Sequence, residues 1–324
     1  MAENQRDFVN VIAAILVFFT GIFGIICNFL IVFAFKKDKS ERTSFNLICV
    51  FRAVINIYVL TTTFLIGFLP VIILGESPYT SISPYFEAAL IIFSNTFYLG
   101  NEYQTILVAA NRFCALFFPF YYTKLFGYRP TFTALLLIYG YRFFALVITA
   151  SGYVEQDGPS NQDNCTVFFS PQKMTWTLTD GCEDDDDILT VVMITFVIVL
   201  CFNVATFSRI IKFQRESKAY GKRISSAERK NMMLFLQTVL QDSLYLIDLT
   251  FTFKLNTLFD SRAWNFISGT FVWECLHAFD GMIMLMFNER FTFVKSLFKS
   301  SSGPSVPVSE SPQTIPAVAM ARVE

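Results

Sequence analysis

The stretch FVNVIAAILVFFTGIFGIICNFLIVFAF, residues 8–35, contains no charged side chain. A helix needs roughly 20 apolar residues to cross a hydrocarbon core of about 30 Å. Water cannot satisfy backbone N–H and C=O groups inside a bilayer, so an apolar stretch that crosses it must be helical. Residues 8–35 therefore predict a membrane-spanning helix.

Six further stretches of spanning length follow this one and fill most of the chain. They are Phe45–Ile73, Phe86–Phe118, Thr131–Tyr153, Ile188–Phe213, Asn231–Phe253 and Trp264–Phe287. The composition, with 54% hydrophobic and 16% charged residues and a mean hydropathy of +0.49, sets the chain apart from soluble domains. We predict an all-α membrane protein, with a bundle of seven transmembrane helices over residues 1–299. A disordered cytoplasmic tail, rich in Ser and Pro, is expected over residues 300–324.

The charges of the loops predict how the bundle is oriented. Basic residues occupy alternate loops: Lys36, Lys37, Lys39 and Arg42, then Lys124 and Arg129, then the loop Lys212–Lys230, then Lys295 and Lys299. The loop after the fourth stretch is acidic instead. Because cationic loops stay in the cytoplasm, we expect the N-terminus outside and the C-terminus inside.

The acidic outer loop carries two candidate modification sites. Asn164-Cys165-Thr166 is a glycosylation sequon, which predicts a glycan on Asn164. Cys165 and Cys182 share this loop in an oxidising compartment, so they are candidates for a disulfide, although spacing alone does not establish the geometry. The run Glu183–Asp187 is interpreted as a solvated acidic loop, or as an attractor of cations.

Charged residues inside the spans predict two ion pairs. At about 1.5 Å of rise per residue, Glu102 and Arg142 lie at a similar depth near the middle of the membrane. Arg52 and Asp280 both lie in the inner half, on the second and seventh spans. Such pairs either fix the register of the helices or form a lock that loosens on activation.

A second group of polar residues lies at mid-membrane or nearer the outside, which makes them candidates for a ligand cavity. They are Asp242, Tyr245, Asp248 and Glu274, and the aromatic residues Phe93, Tyr98 and Trp273 are candidates for its walls. Enzymatic chemistry is not expected, because the chain has one His, no Gly-rich phosphate loop and no Ser/His/Asp set. We expect no cofactor, no metal site and no nucleic-acid partner.

Several sequence blocks resemble a known class of receptor. Gly24 to Asn28 and the block NRFCALFFPFYY, residues 111–122, resemble motifs of rhodopsin-like G-protein-coupled receptors. Together with residues 241–248 and 271–281, they are similar to the nematode serpentine chemoreceptors, class x. The resemblance covers all seven spans. It implies the rhodopsin-like architecture and residence in the plasma membrane, in the cilia of sensory neurons.

The resemblance also implies a function for both ends of the bundle. A small extracellular ligand would bind within the bundle, and a heterotrimeric G protein would contact the inner end at Asn111, Arg112, Tyr122 and Arg223. Some features depart from the pattern of the rhodopsin-like receptors. No Lys lies in the seventh span, so a retinal Schiff base is excluded there, and no Cys lies at the outer end of the third span to anchor the outer loop.

Two other functions remain open from sequence. Buried charges suit the ion path of a transporter or ligand-gated channel subunit, although the odd number of spans and the lack of repeats speak against it. A structural or trafficking protein, in which Arg112 is an inert interfacial residue, is the third possibility. Membrane lipid is a partner in each case, and dimerisation stays undecided.

Overall fold

The computed structural model of the chain describes residues 2–37, 43–79, 86–155, 167–178, 186–219 and 226–288. Several predicted features lie outside these residues: the sequon at Asn164, the cysteines Cys165 and Cys182, the basic Arg223, and the tail 300–324. The described residues form a bundle of seven long helical segments with one small β-hairpin. This confirms the predicted fold class.

The seven spans begin and end close to the predicted stretches. The first span is α1 (Ala2–Lys37); the second is α2 (Ser44–Val59), a π-helical segment (Leu60–Phe68) and α3 (Leu69–Leu74); the third is α4 (Phe86–Phe117). A short helix, α5 (Pro119–Leu125), precedes the fourth span α6 (Tyr128–Glu155), and the fifth is α7 (Asp186–Ala219). The sixth is α8 (Ser226–Thr250), continued by a π-helical segment (Phe251–Leu255) and a 3₁₀ turn (Asn256–Leu258). The seventh is α9 (Arg262–Asn265), a π-helical segment (Phe266–Phe271) and α10 (Val272–Phe287).

Five of the seven spans are long and apolar enough to cross a membrane on length and hydropathy alone. They are Phe8–Lys37, Ser44–Leu74, Tyr128–Ile148, Thr190–Glu216 and Arg262–Phe287. The third and sixth spans are more polar, and their polar side chains, such as Gln104 and Gln241, are buried in the bundle. Polar groups inside a bilayer normally face the interior of the bundle, so these two spans form its polar centre.

The first and seventh spans approach each other closely in the bundle's core. A Cβ atom on Gly24 would lie 2.7 Å from the Cα of Ala278, so a larger side chain cannot fit there. One turn further along, the side chain of Asn28 lies against Gly281 in the same way. Small residues at helix crossings are the usual means by which membrane helices approach each other closely.

The outer loop contains a β-hairpin that packs on the bundle. Strand β1 (Val167–Ser170) pairs antiparallel with β2 (Thr175–Leu178). Phe169 and Met174 of this hairpin are fully buried, and the hydroxyl of Thr270 donates a hydrogen bond of 2.9 Å to the carbonyl of Met174. We call the end of the bundle that carries the hairpin the outer end, and the end that carries α5 the inner end. The hairpin thus covers the outer end of the seventh span.

Candidate functional site

A column of aromatic rings leads from the hairpin into the centre of the bundle. The ring of Phe169 stacks on that of Phe68 at 4.4 Å between centroids. Phe68 lies 6.2 Å from Trp273, and Trp273 lies 6.5 Å from Tyr98. Rings at these separations attract each other beyond the effect of burial alone. The column connects the covered outer end to the third and sixth spans.

Two tyrosines and two acidic residues face each other at the end of this column that lies in the centre of the bundle. We call this the lower end of the column. Tyr98 and Glu102 lie one turn apart on α4, while Tyr245 and Asp248 lie one turn apart on α8. The tyrosine rings are 5.8 Å apart, and the hydroxyl of Tyr98 donates a 2.9 Å hydrogen bond to Oδ2 of Asp248. We call these four residues the acid–tyrosine cluster. It joins the third span to the sixth.

A buried amide, Asn56, connects four spans below this cluster. Its Nδ2 donates to Oδ2 of Asp280 at 2.7 Å and to Oδ1 of Asn28 at 3.2 Å. Its Oδ1 accepts from Nδ2 of Asn101 at 3.3 Å and from Nδ1 of His277 at 2.8 Å. Each atom of the amide is therefore bonded to two partners, and the first, second, third and seventh spans meet at this residue. A buried amide whose hydrogen bonds are all satisfied favours one arrangement of the helices around it.

Arg52 and Asp280, which the sequence pairs by depth, form an ion pair in the bundle. Nε of Arg52 lies 3.1 Å from Oδ2 of Asp280, and both side chains are buried. The guanidinium also lies 4.8 Å above the ring of Tyr245. Oδ1 of Asp280 accepts a 2.7 Å hydrogen bond from Gln241, so the ion pair links the second, sixth and seventh spans.

The polar chain continues toward the inner end. Nε2 of Gln237 lies 3.4 Å from Oε1 of Gln241. Gln237 also lines a cavity of about 290 Å³ at the inner end of the bundle, whose wall includes Cys49, Arg112 and Tyr122. Residues of the first, second, third, sixth and seventh spans line this inner cavity, together with Tyr122 of α5.

Arg112 lies on the wall of the inner cavity and forms no ion pair with an acidic residue of the described ranges. Its side chain is only 8% exposed, and its Nε and Nη2 have no hydrogen-bond partner in the described part of the chain. The guanidinium instead lies 3.7 Å above the ring of Phe45, a close cation–π contact. The neighbouring Asn111 accepts a 3.4 Å hydrogen bond from the hydroxyl of Tyr122, which ties α5 to the third span.

Four of the seven predicted ligand residues come together and three do not. Tyr98, Tyr245, Asp248 and Trp273 meet around the lower end of the aromatic column. Phe93 is an exposed residue of α4. Oδ2 of Asp242 accepts a 2.8 Å hydrogen bond from Asn203 of the fifth span, and Glu274 packs against Gly21 of the first.

The other predicted ion pair does not form among the described residues. Glu102 and Arg142 form no ion pair in the described residues, and Oε1 of Glu102 and Nε of Arg142 have no hydrogen-bond partner there. Their depths match, but Glu102 lies on the face of α4 that carries Tyr98. Arg142 follows Tyr139 on α6. The hydroxyl of Tyr139 donates a 2.8 Å hydrogen bond to Asn101, which lies on a different face of α4.

Sequence reasoning missed three residues that organise the site. Asn56, His277 and Glu87 are not among the site residues predicted from the sequence. Polar residues inside predicted spans, such as Asn56, could have been assigned to the interior, since amides are costly in lipid. Glu87 gave no signal, because its partner is a backbone N–H of the hairpin.

The chain is similar to known proteins over most of its length. Residues 18–288 match the model of a family described as serpentine type 7TM GPCR chemoreceptor Srx. Serpentine receptor class X 45 of Caenorhabditis elegans is 26% identical over 322 residues, covering 91% of this chain and 83% of that protein. The fold is similar to the crystal structure of squid rhodopsin, with a TM-score of 0.69 at 14% identity over 90% of this chain and 85% of that one.

Proposed function

Because the chain belongs to the Srx family of serpentine seven-transmembrane chemoreceptors, we propose that it binds a small extracellular ligand within the bundle and activates a heterotrimeric G protein at the inner end. The inner cavity is the observation that carries this proposal. Its wall holds the buried Arg112, which has no acidic partner among the described residues, at the end of the chain of contacts that starts at the hairpin. A partner that inserts into this cavity would meet an arginine with unused hydrogen-bond donors.

The orientation of the bundle supports this assignment of the two ends. The inner end carries the exposed basic residues Lys37, Lys124, Arg129 and Arg209, whereas the hairpin marks the opposite end. Under the positive-inside rule, the cavity then faces the cytoplasm and the hairpin faces outward. This multi-pass protein would act in the plasma membrane, with the sensory cilium as the expected site.

The ligand would bind at the lower end of the aromatic column. Tyr98, Asp248 and Trp273 lie there between the third, sixth and seventh spans. A ligand shifts a receptor's equilibrium only through its different affinity for two arrangements of the helices. The sixth and seventh spans also supply Gln241 and Asp280 to the polar chain, so a shift of either span at the ligand would change the inner cavity.

The experiment compares three receptors in cells at matched surface expression: the wild type, Arg112→Ala and Arg129→Ala. Arg129 is an exposed cation at the same end of the bundle but outside the cavity wall, so it controls for lost charge. A chemical library is screened with calcium and cAMP as the readouts. We expect responses from the wild type and Arg129→Ala, and none from Arg112→Ala. A response that persists in Arg112→Ala would overturn the role of the cavity.

A further inference from the structure

We infer that the ligand of this receptor is a small organic cation, such as a protonated amine, held between Tyr98 and Glu102 of α4 and Tyr245 and Asp248 of α8. The inference rests on the proposed function and specifies the chemical class of its ligand. It follows from three properties of the acid–tyrosine cluster: its charge balance, the type of its unpartnered atoms and its aromatic walls.

The centre of the bundle contains more acidic than basic side chains. Four acidic side chains, those of Glu102, Asp242, Asp248 and Asp280, lie in this centre, and the ion pair found there among the described residues uses the guanidinium of Arg52. Arg52 is already in an ion pair with Asp280. A carboxylate buried without a counter-charge costs several kcal/mol, so a bound cation stabilises this arrangement.

Most of the atoms around Tyr98 that lack hydrogen-bond partners among the described residues are acceptors; the exception in the cluster is the hydroxyl of Tyr245, which can donate or accept. Oε1 of Glu102 and Oδ1 of Asp248 have no partner in the described chain, although these side chains are only 5% and 4% exposed. Nδ1 of His277 lies 2.8 Å from Oδ1 of Asn56, an oxygen that can only accept, so the imidazole proton resides on Nδ1. Nε2 of the fully buried His277 is then an acceptor, and it too has no hydrogen-bond partner in the described residues.

A primary ammonium group carries three N–H donors and no acceptor, which complements this set of acceptors. An alcohol of the same shape offers one donor, and a carboxylate offers none. The lining therefore discriminates between ligands by the number of donors as well as by charge.

The walls of the cluster suit a cation for a second reason. The rings of Tyr98 and Tyr245 lie 5.8 Å apart, and that of Trp273 lies 6.5 Å from Tyr98 and 6.2 Å from His277. Aromatic faces attract cations, and the attraction is stronger where the site is desolvated. Tyr245 already makes this type of contact with Arg52 at 4.8 Å.

The experiment uses purified receptor without G protein and three series of matched probes. Each series contains an amine, the alcohol that replaces its ammonium, and the corresponding carboxylate, for example phenethylamine, phenethyl alcohol and phenylacetate. Binding is followed by the shift in thermal unfolding and quantified by titration calorimetry. We expect at least one amine to bind about tenfold or more tightly than its alcohol, and no carboxylate to bind.

Three variants test the location of the site. Asp248→Asn and Glu102→Gln keep the side-chain shapes and remove the charges, so each should abolish the preference for the amine. Glu274→Gln makes the same change in a buried carboxylate that packs against Gly21, outside the cluster, and should leave the preference intact. Alcohols or carboxylates that bind as tightly as amines would overturn the inference. So would an amine preference that survives both cluster variants, or a failure of every amine to bind.

The two proposals fail in distinguishable ways. Amines that bind as expected while no receptor response reaches a G protein would contradict the proposed function and leave the cation site standing. Conversely, neutral ligands that drive signalling through Arg112, with binding unaffected by Asp248→Asn, would contradict the cation site alone.

Discussion

The carboxylate of Glu87, at the start of the third span, accepts a 2.6 Å hydrogen bond from the backbone N–H of Phe169 in the hairpin. Its other oxygen accepts from the hydroxyl of Ser77 at 2.7 Å. The sequence has no Cys at the outer end of the third span, so a disulfide cannot anchor the outer loop there. Glu87 joins the hairpin to the third span by a non-covalent contact instead.

Replacing Glu87 by Leu should loosen the hairpin without unfolding the bundle. The change leaves the buried N–H of Phe169 unsatisfied, which costs about 1–3 kcal/mol. Hydrogen exchange of residues 167–178 should therefore accelerate, while exchange in the spans stays slow. Glu76→Leu, at an exposed position before Ser77, is the matched control and should change neither. Equal exchange in the two variants would show that Glu87 does not hold the hairpin.

Phe68→Ala should destabilise the whole outer half of the bundle. Phe68 is fully buried and contacts Phe64, Phe169 and Trp273. Truncation of a buried Phe to Ala typically costs about 3–5 kcal/mol. We expect a clear drop in the melting temperature of the detergent-solubilised receptor. Phe120→Ala on α5, where the ring is 94% exposed, should leave the melting temperature nearly unchanged.

The sequence predicts the spans and the depth of each charge well, but not the direction in which a side chain points. Span length follows from the thickness of the bilayer, and depth follows from the helical rise. These two quantities sufficed to pair Arg52 with Asp280, since both lie on faces that meet. They failed for Glu102 and Arg142, because the rotation of each helix is set by packing against its neighbours.

The hairpin and the π-helical segments were beyond sequence reasoning for a related reason. The strands Val167–Ser170 and Thr175–Leu178 are only four residues each, and Phe169 is buried by contact with a distant residue, Phe68. The segment Leu60–Phe68 carries the same apolar pattern as the α-helix before it. The position of the hairpin is set by long-range contacts rather than by local propensity. The apolar sequence of the π-helical segment does not distinguish it from an ordinary α-helix.

The ion pair of Arg52 and Asp280 should show strong coupling in a double-mutant cycle. Removal of one partner of a buried pair costs about 3–5 kcal/mol, because the other charge stays buried without compensation. Arg52→Met and Asp280→Leu should each lower the melting temperature, and the double variant should lose less than the sum of the two. Additive losses would indicate that the two charges do not interact in the folded receptor.

Phe45→Leu should weaken receptor signalling by loosening Arg112. The ring of Phe45 lies 3.7 Å from the guanidinium carbon, and a cation–π contact contributes about 0.5–2 kcal/mol. We expect a partial loss of agonist-driven G-protein activation at unchanged ligand affinity, whereas Arg112→Ala loses activation completely. Phe45→Tyr keeps an aromatic face and should therefore retain the response of the wild type. A failure of Phe45→Tyr to do better than Phe45→Leu would assign Phe45 a packing role only.

Asp248→Asn should raise the thermal stability of the ligand-free receptor. Asp248 is 4% exposed, one of its oxygens has no partner in the described chain, and an amide oxygen at this position still accepts from Tyr98. Neutralising a buried carboxylate removes a desolvation cost, and a gain of about 0.5–2 kcal/mol is typical when a functional site is relieved of such a cost. The melting temperature of purified receptor measures this directly. Asp280→Asn, which breaks the ion pair with Arg52, should lower the melting temperature instead. If both variants destabilise the receptor to the same extent, Asp248 contributes to stability rather than being maintained for its ligand.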